Sequence, residues 1–178
     1  IFSSSATIYD QAQSEKLKEI DQLCPINPYG NTKFTIEKML NDIFESNPNK
    51  WKIVCLRYFN PIGAHESGLI GENPIGMPNN IFPLITQIAL GKISQLRIFG
   101  DNWPTKDGTC VRDFIHIEDL ANAHLATLNY LTKKESQIID LNIGTGKGTS
   151  VLELIQTFEK VNNINLNYEF VNRREGDI

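Results

Sequence analysis

The chain has 178 residues, 40% apolar and 21% charged, a balance that excludes a disordered or fibrous protein and fits a soluble globular one. With 17 Lys and Arg against 21 Asp and Glu the formal charge is −4, which argues against a nucleic-acid or anionic-membrane binder that relies on bulk positive charge. Apolar runs such as Ile53 to Leu56 are too short to span a bilayer, no basic-then-apolar leader opens the chain, and neither the three cysteines nor the three histidines have metal-ligand spacing, so a cytoplasmic protein with reduced thiols and no metal is expected.

Ile1 to Ser5 reads as the end of a buried strand running into a polar loop, and a strand without an earlier partner suggests a piece of a longer polypeptide. Asn27 before Pro28 predicts a helix start, and Ile36, Met39, Leu40, Ile43 and Phe44 carry the helical spacing to about Ser46, where Asn47-Pro48 stops it. Trp51 to Tyr58 is a β-type run, so helix followed by strand recurs as in a doubly wound sheet. The Gly, Pro and Asn-rich stretch from Asn60 to Asn80 is too long for an ordinary connection and points to function.

A helix is expected from Asn80 to Leu90, a short strand over Leu96 to Phe99, a loop from Gly100 to Thr109 and a helix from His116 to about Leu131, opened by Glu118 and Asp119. Ile138 to Ile143 resumes the strand pattern. Ser150 with Glu153 three residues on matches a capping box and starts a last helix to about Val161, before a final strand near Leu166 to Val171. Gly144-Thr145-Gly146-Lys147-Gly148 looks like a phosphate loop but fits no phosphate-binding fingerprint, and is read as a structural turn.

Tyr29 and Lys33 are the sharpest chemical pair, because residues four apart project from one face of a helix. A cation about 5 Å from a phenol, at an effective dielectric near 20, contributes about 3 kcal/mol in favour of phenolate, enough to make tyrosine a general base. The bland alternative is a chance pair on a solvated face. Ser3-Ser4-Ser5-Ala6-Thr7 lies at the presumed C-terminal end of a strand, the edge where open α/β sheets bind ligands, although a structural Ser/Thr turn would look the same. Arg112 and Arg174 are two of only five arginines, the residue type whose planar fork matches phosphate.

With these residues in view, the chain resembles the extended short-chain dehydrogenase/reductase family. The matching segments are Phe2 to Tyr9, Asn27-Pro28-Tyr29-Gly30-Asn31-Thr32-Lys33, Leu56 to Pro61, Gly76-Met77-Pro78-Asn79-Asn80, Asp107 to His116 and Arg173-Arg174-Glu175-Gly176-Asp177. The Asn-Asn and Arg-Arg-Glu-Gly-Asp segments resemble the subgroup of UDP-sugar epimerases. The resemblance implies an α/β fold: the C-terminal part of a Rossmann-like doubly wound sheet plus a smaller α/β substrate domain. Residues 1–60 would finish the NAD-binding domain and 61–178 would mainly build the UDP-sugar domain, with 116–143 the segment that the family topology returns to the Rossmann sheet.

The same resemblance implies a catalytic set of Ser5, Tyr29 and Lys33. It implies NAD contacts from Ser3, Ser4, Tyr29, Lys33, Tyr58 and Phe59, and nucleotide-sugar contacts from Ser5, Asn60, Asn79, Asn80, Phe99, Arg112, Arg174 and Asp177. The implied reaction interconverts UDP-galactose and UDP-glucose. Tyrosinate takes the O4 proton while hydride leaves C4 for tightly held NAD, and the 4-keto sugar turns over before hydride returns. The activity would belong to the intact protein, a homodimer by resemblance, and the piece alone is expected to be inactive. Rival readings are a related dehydratase or decarboxylase, which Ala6-Thr7 after Ser5 disfavours, and a non-catalytic nucleotide sensor.

Overall fold

In the computed structural model, which describes residues 1–10 and 16–174, strands and helices alternate along the chain. In order they are β1 (Phe2–Ser5), a 3-10 turn (Ala6–Ile8), α1 (Pro28–Ser46), β2 (Lys52–Tyr58), β3 (Asn60–Ile62), α2 (Ile81–Ala89), β4 (Leu96–Phe99), β5 (Val111–His116), α3 (Ile117–Lys133), β6 (Gln137–Ile143), β7 (Gly148–Ser150), α4 (Val151–Asn162) and β8 (Tyr168–Val171). Two compact units divide the chain: Ile1–Pro61 with Ile115–Gly146, and Ile62–Phe114 with Lys147–Ile178. No helix among the described residues is long and apolar enough to cross a membrane.

The first unit is built on a parallel sheet of order β1-β2-β6, with Phe2 opposite Cys55 and Cys55 opposite Asp140. Because successive side chains of a strand point to opposite faces, β2 and β6 sort their residues by chemistry. Val54, Leu56, Tyr58, Ile139, Leu141 and Ile143 pack with Leu131 of α3 on one face. Cys55, Arg57, Asp140 and Asn142 therefore share the other face, toward α1, with Ser4 of β1.

Asn27 caps α1 by accepting from Gly30 N at 2.8 Å, and Pro28 takes the first turn, where its missing N–H costs nothing. The buried residues of this helix are Gly30 and Glu37, whereas Ile36, Met39 and Ile43 of the expected apolar stripe are exposed. The physical reason is the face it meets: α1 seats its polar stripe, Lys33 and Glu37, on the polar side of the sheet. Gly30 permits the close approach, since a Cβ there would lie 2.7 Å from the Thr7 carbonyl oxygen.

The second unit has its own core of Ile85, Ile88, Leu96, Ile98, Leu154, Ile155 and Leu166, gathered from α2, β4, α4 and the segment that leads into β8, the parallel partner of β4. Each such side chain contributes about 1.5–3 kcal/mol when fully buried. Phe82 meets Phe158 edge to face at 6.0 Å between ring centroids. Strand β5 pairs antiparallel with β7, Val111 opposite Ser150, within the sheet of order β3-β5-β7. Strands β3 and β7 break expected loops, β3 in the Asn60 to Asn80 stretch and β7 at the last glycine of the Gly144 to Gly148 turn, while β5 follows the expected Gly100 to Thr109 loop in a segment with no expected element.

An Asp107 hub organises the loop before β5. Its carboxylate accepts from Thr109 N at 2.9 Å, Thr109 Oγ1 at 2.7 Å and the Ser150 hydroxyl. Ser150 Oγ in turn accepts from Glu153 N at 3.0 Å, the expected cap of α4. Burial pushes the Asp107 carboxyl up, but the hydrogen bonds from Ser150 and Thr109 outweigh it and hold the group below the usual carboxylate range.

Candidate active site

Ser3 to Ser5 close β1, its neighbour β2 ends beside it at Tyr58 and β6 ends beside β2 at Ile143, so three parallel strands present their C-terminal ends together. That edge is where open α/β sheets place ligands. Lys33 of α1 reaches it: Nζ donates to the Ser3 carbonyl oxygen at 2.8 Å and stands 5.5 Å from the centroid of the Tyr29 ring. Tyr29 is 53% exposed, so its phenol is open to a reactant. Ser5, buried, caps the 3-10 turn by accepting from Thr7 N at 3.2 Å and Thr7 Oγ1 at 3.0 Å, which leaves its own hydroxyl proton to donate.

The ammonium has three N–H groups, and the bond to Ser3 uses one. The donors that remain, beside serine hydroxyls at a strand edge, suit the hydroxyls of a cofactor ribose. The residues present thus fit a dinucleotide. Tyr58 and Phe59 continue the edge; Tyr58 is half-buried with its ring 6.1 Å from that of His124, and Phe59 N donates to Ile143 O at 3.1 Å. His124 was not expected. Its Nδ1 lies 2.9 Å from the Leu120 carbonyl, which can only accept, so Nε2 is free to accept from Ser3 Oγ at 3.4 Å.

Beneath this edge, on the α1 face, lies a buried charged network that sequence reasoning missed. Arg57 donates from Nε to Glu37 Oε1 at 3.0 Å and from Nη2 to Glu37 Oε2 at 2.7 Å and Asp140 Oδ2 at 2.6 Å. Its Nη1 donates to Tyr9 Oη at 3.0 Å and the Glu19 carbonyl at 3.1 Å. Tyr9 Oη donates to Asn142 Oδ1 at 2.7 Å, and Ser4 Oγ donates to Glu37 Oε1 at 2.5 Å. Ser4, implied above as a cofactor contact, therefore has its side chain turned away from the edge and fully buried.

Electrostatics in this network are uneven. Burial alone would lower the Arg57 guanidinium, but hydrogen bonds to Glu37 and Tyr9 outweigh it and hold the group above its ordinary range. Burial, helped by the neighbouring Glu37 carboxylate, pushes the Asp140 carboxyl up despite Arg57, and its Oδ1 is buried without a hydrogen-bond partner among the described residues. Burial, then the neighbouring carboxylates, push the Cys55 thiol up to about 12. Glu37, Cys55 and Asp140 place ligand atoms within 4.8 Å of one another, as a metal site would, but the guanidinium bonded to both carboxylates already supplies the cation.

In the second unit the expected nucleotide-sugar residues fall into separate places. Arg174 lies with its guanidinium carbon 5.2 Å from the Phe99 ring centroid, a cation–π distance, so these two are brought together. Arg112 sits on β5 and donates to the Val111 carbonyl at 2.9 Å. Asn80 is the N-cap residue of α2 without a side-chain cap, and its amide donates to Glu72 at 3.1 Å. Asn79 is exposed, as is Asn60, which begins β3 in the first unit. Asp177 lies outside the described residues.

Comparison with known proteins gives the same picture. The model of a family described as the NAD dependent epimerase/dehydratase family matches residues 1–144. UDP-glucose 4-epimerase 1 of Oryza sativa subsp. japonica is 49% identical over 179 residues, covering 99% of this chain and 50% of that protein. Among solved structures, a UDP-glucose-4-epimerase from Stenotrophomonas maltophila with bound NAD and formylated UDP-arabinopyranose superposes with a TM-score of 0.94 at 46% identity, over 99% of this chain and 52% of that one. One from Bifidobacterium longum in complex with NAD+ and UDP gives 0.93 at 43% identity, over 99% and 52%. The chain spans about half the length of the relatives it matches.

Proposed function

The chain belongs to the NAD dependent epimerase/dehydratase family, and on that premise we propose that the intact protein interconverts UDP-galactose and UDP-glucose through a transient 4-keto sugar, with NAD held tightly throughout. The observation that carries the reading is Lys33, fixed on the Ser3 carbonyl beside the Tyr29 ring at the ligand-binding edge of a parallel sheet. It is supported by a relative named UDP-glucose 4-epimerase 1 at 49% identity and by solved neighbours that hold NAD with a UDP-sugar or UDP.

In this reading Tyr29 takes the proton from the sugar O4, and the Lys33 charge stabilises the negative oxygen that Tyr29 presents. The Ser5 hydroxyl, with a proton to give, hydrogen-bonds the same O4. Bound NAD supplies the hydride acceptor and donor at C4. Lys33 and Tyr29 would hold its ribose, Ser3 would border it, and Tyr58 and Phe59 would line its nicotinamide side, whereas the buried Ser4 side chain is turned to Glu37 instead. Arg112 and Arg174 grip the pyrophosphate, Phe99 lies by the uracil, Asp177 binds the UDP ribose, and Asn60, Asn79 and Asn80 complete the nucleotide-sugar contacts. The three cysteines are not joined in disulfides, which suits a reducing compartment, and the reading takes the enzyme as a cytoplasmic homodimer.

Incubating the intact protein with UDP-galactose and separating the products by chromatography tests the reading. UDP-glucose should accumulate without release of NADH. A 4-keto-6-deoxy product would make it a dehydratase, and binding of UDP without turnover would make it a sensor.

A further inference from the structure

We propose that Glu37, Arg57 and Ser4 are positioning residues for turnover: their buried network fixes α1 on β1 in the one register that keeps Lys33 on the Ser3 carbonyl beside Tyr29. The inference rests on the reading above, since it gives Glu37 a part in the same reaction without contact with substrate or cofactor.

Spacing is the first argument. Glu37 lies one turn beyond Lys33 and two turns beyond Tyr29, so all three share a stripe of α1. On the strand, Ser4 follows Ser3. The bonds Lys33 Nζ to Ser3 O, at 2.8 Å, and Ser4 Oγ to Glu37 Oε1, at 2.5 Å, are adjacent rungs between the same helix and the same strand. Moving α1 along β1 to break one would break the other.

Energetics supply the second argument. Glu37 and Arg57 are each 2% exposed, and all five N–H groups of the guanidinium are engaged. Taking two charges out of water is costly enough that an apolar core of the same volume would be as stable or more so. What an apolar contact lacks is direction: methyl groups slide, whereas a carboxylate bonded to a planar fork and to a hydroxyl at once has one place to be. Gly30 acts at the other end of the stripe, where the helix is seated against the Thr7 carbonyl too closely for any Cβ. Lys33 is held between these two fixed points.

The test uses the full-length protein loaded with NAD, in a double-mutant cycle of Glu37→Gln with Lys33→Met. A displacement of catalytic groups by about 1 Å costs on the order of a hundredfold, so Glu37→Gln should lower kcat roughly tenfold to hundredfold with little change in KM. In the Lys33→Met background the same substitution should change kcat by less than about twofold, because the group it positions is gone. Ser4→Ala, which leaves the ion pair intact, should lower kcat in the same direction, and Ser4→Thr should restore it.

Equal losses in both backgrounds, or a lower melting temperature with kcat unchanged, would make the network ordinary core and overturn the inference. Should Glu37→Gln fail to fold, Ser4→Ala carries the same cycle with Lys33→Met. Wild-type protein that leaves UDP-galactose unchanged would instead refute the proposed function, and the inference would fall with it.

Discussion

Glu37 and Arg57 meet through two hydrogen bonds, Nε to Oε1 at 3.0 Å and Nη2 to Oε2 at 2.7 Å, in a place where neither side chain sees solvent. Removing one partner strands the other. Arg57→Met should destabilise the protein by about 3–5 kcal/mol in urea unfolding, whereas Arg57→Met combined with Glu37→Leu should recover much of that loss. A single substitution that costs less than about 1 kcal/mol would mean that water reaches the pair.

Tyr29→Phe removes one oxygen from an exposed side chain whose ring still stacks near Lys33. Loss of a general acid/base group costs about 10²–10⁴-fold in turnover, and UDP affinity, which the proposed function assigns mainly to Arg112, Arg174 and Phe99, should stay within about twofold. Steady-state kinetics with UDP-galactose, together with calorimetric titration of UDP, separates the two effects.

The cysteines should divide by burial. Cys24 is exposed while Cys55 and Cys110 are buried, so a thiol reagent at mildly alkaline pH should modify Cys24 alone until denaturant is added. Cys55 also links stability to pH. Burial raises its folded value to about 12 from 9.0, so the folded state binds this proton more tightly than the unfolded one. The stabilisation is complete below about 9 and is lost as the pH climbs toward 12; Cys55→Ala should flatten that alkaline limb in urea melts.

Asp107 works at the opposite end of the pH scale. Its carboxyl is held below the usual carboxylate range, so its contribution is present above that range and is lost as the medium becomes more acidic. Asp107→Asn should weaken the acid dependence of unfolding followed by circular dichroism. Ser150→Ala, which removes both the α4 cap and a donor to Asp107, should cost about 1–2 kcal/mol.

Much of the fold is legible in local signals. Asn27-Pro28 and Ser150 with Glu153 mark helix starts that the structure shows at Pro28 and Val151, because caps are determined by adjacent residues. Strand β7 escaped notice because Gly148, Thr149 and Ser150 have turn-like composition and become a strand only by pairing with β5. Lys33 and Tyr29 are legible for the same reason as the caps, being one turn apart. The Arg57 network is not, since Ser4, Glu37, Arg57 and Asp140 come from four elements. A signal does exist: Arg57 and Asp140 are opposite charges flanked by apolar residues inside parallel strands, where an unpaired charge would be prohibitive.

The parallel order β1-β2-β6 also dictates a timetable for assembly. A central strand whose neighbours lie dozens of residues before and after it cannot be completed by local hairpin closure, so the first unit joins distant segments late and slowly. Until β6 emerges from the ribosome and brings Asp140 and Asn142, Arg57 has Glu37, Tyr9 and the Glu19 carbonyl as partners, beside an uncovered apolar row of Val54, Leu56 and Tyr58. That nascent intermediate is the species most open to aggregation and the one a chaperone would be called on to shield.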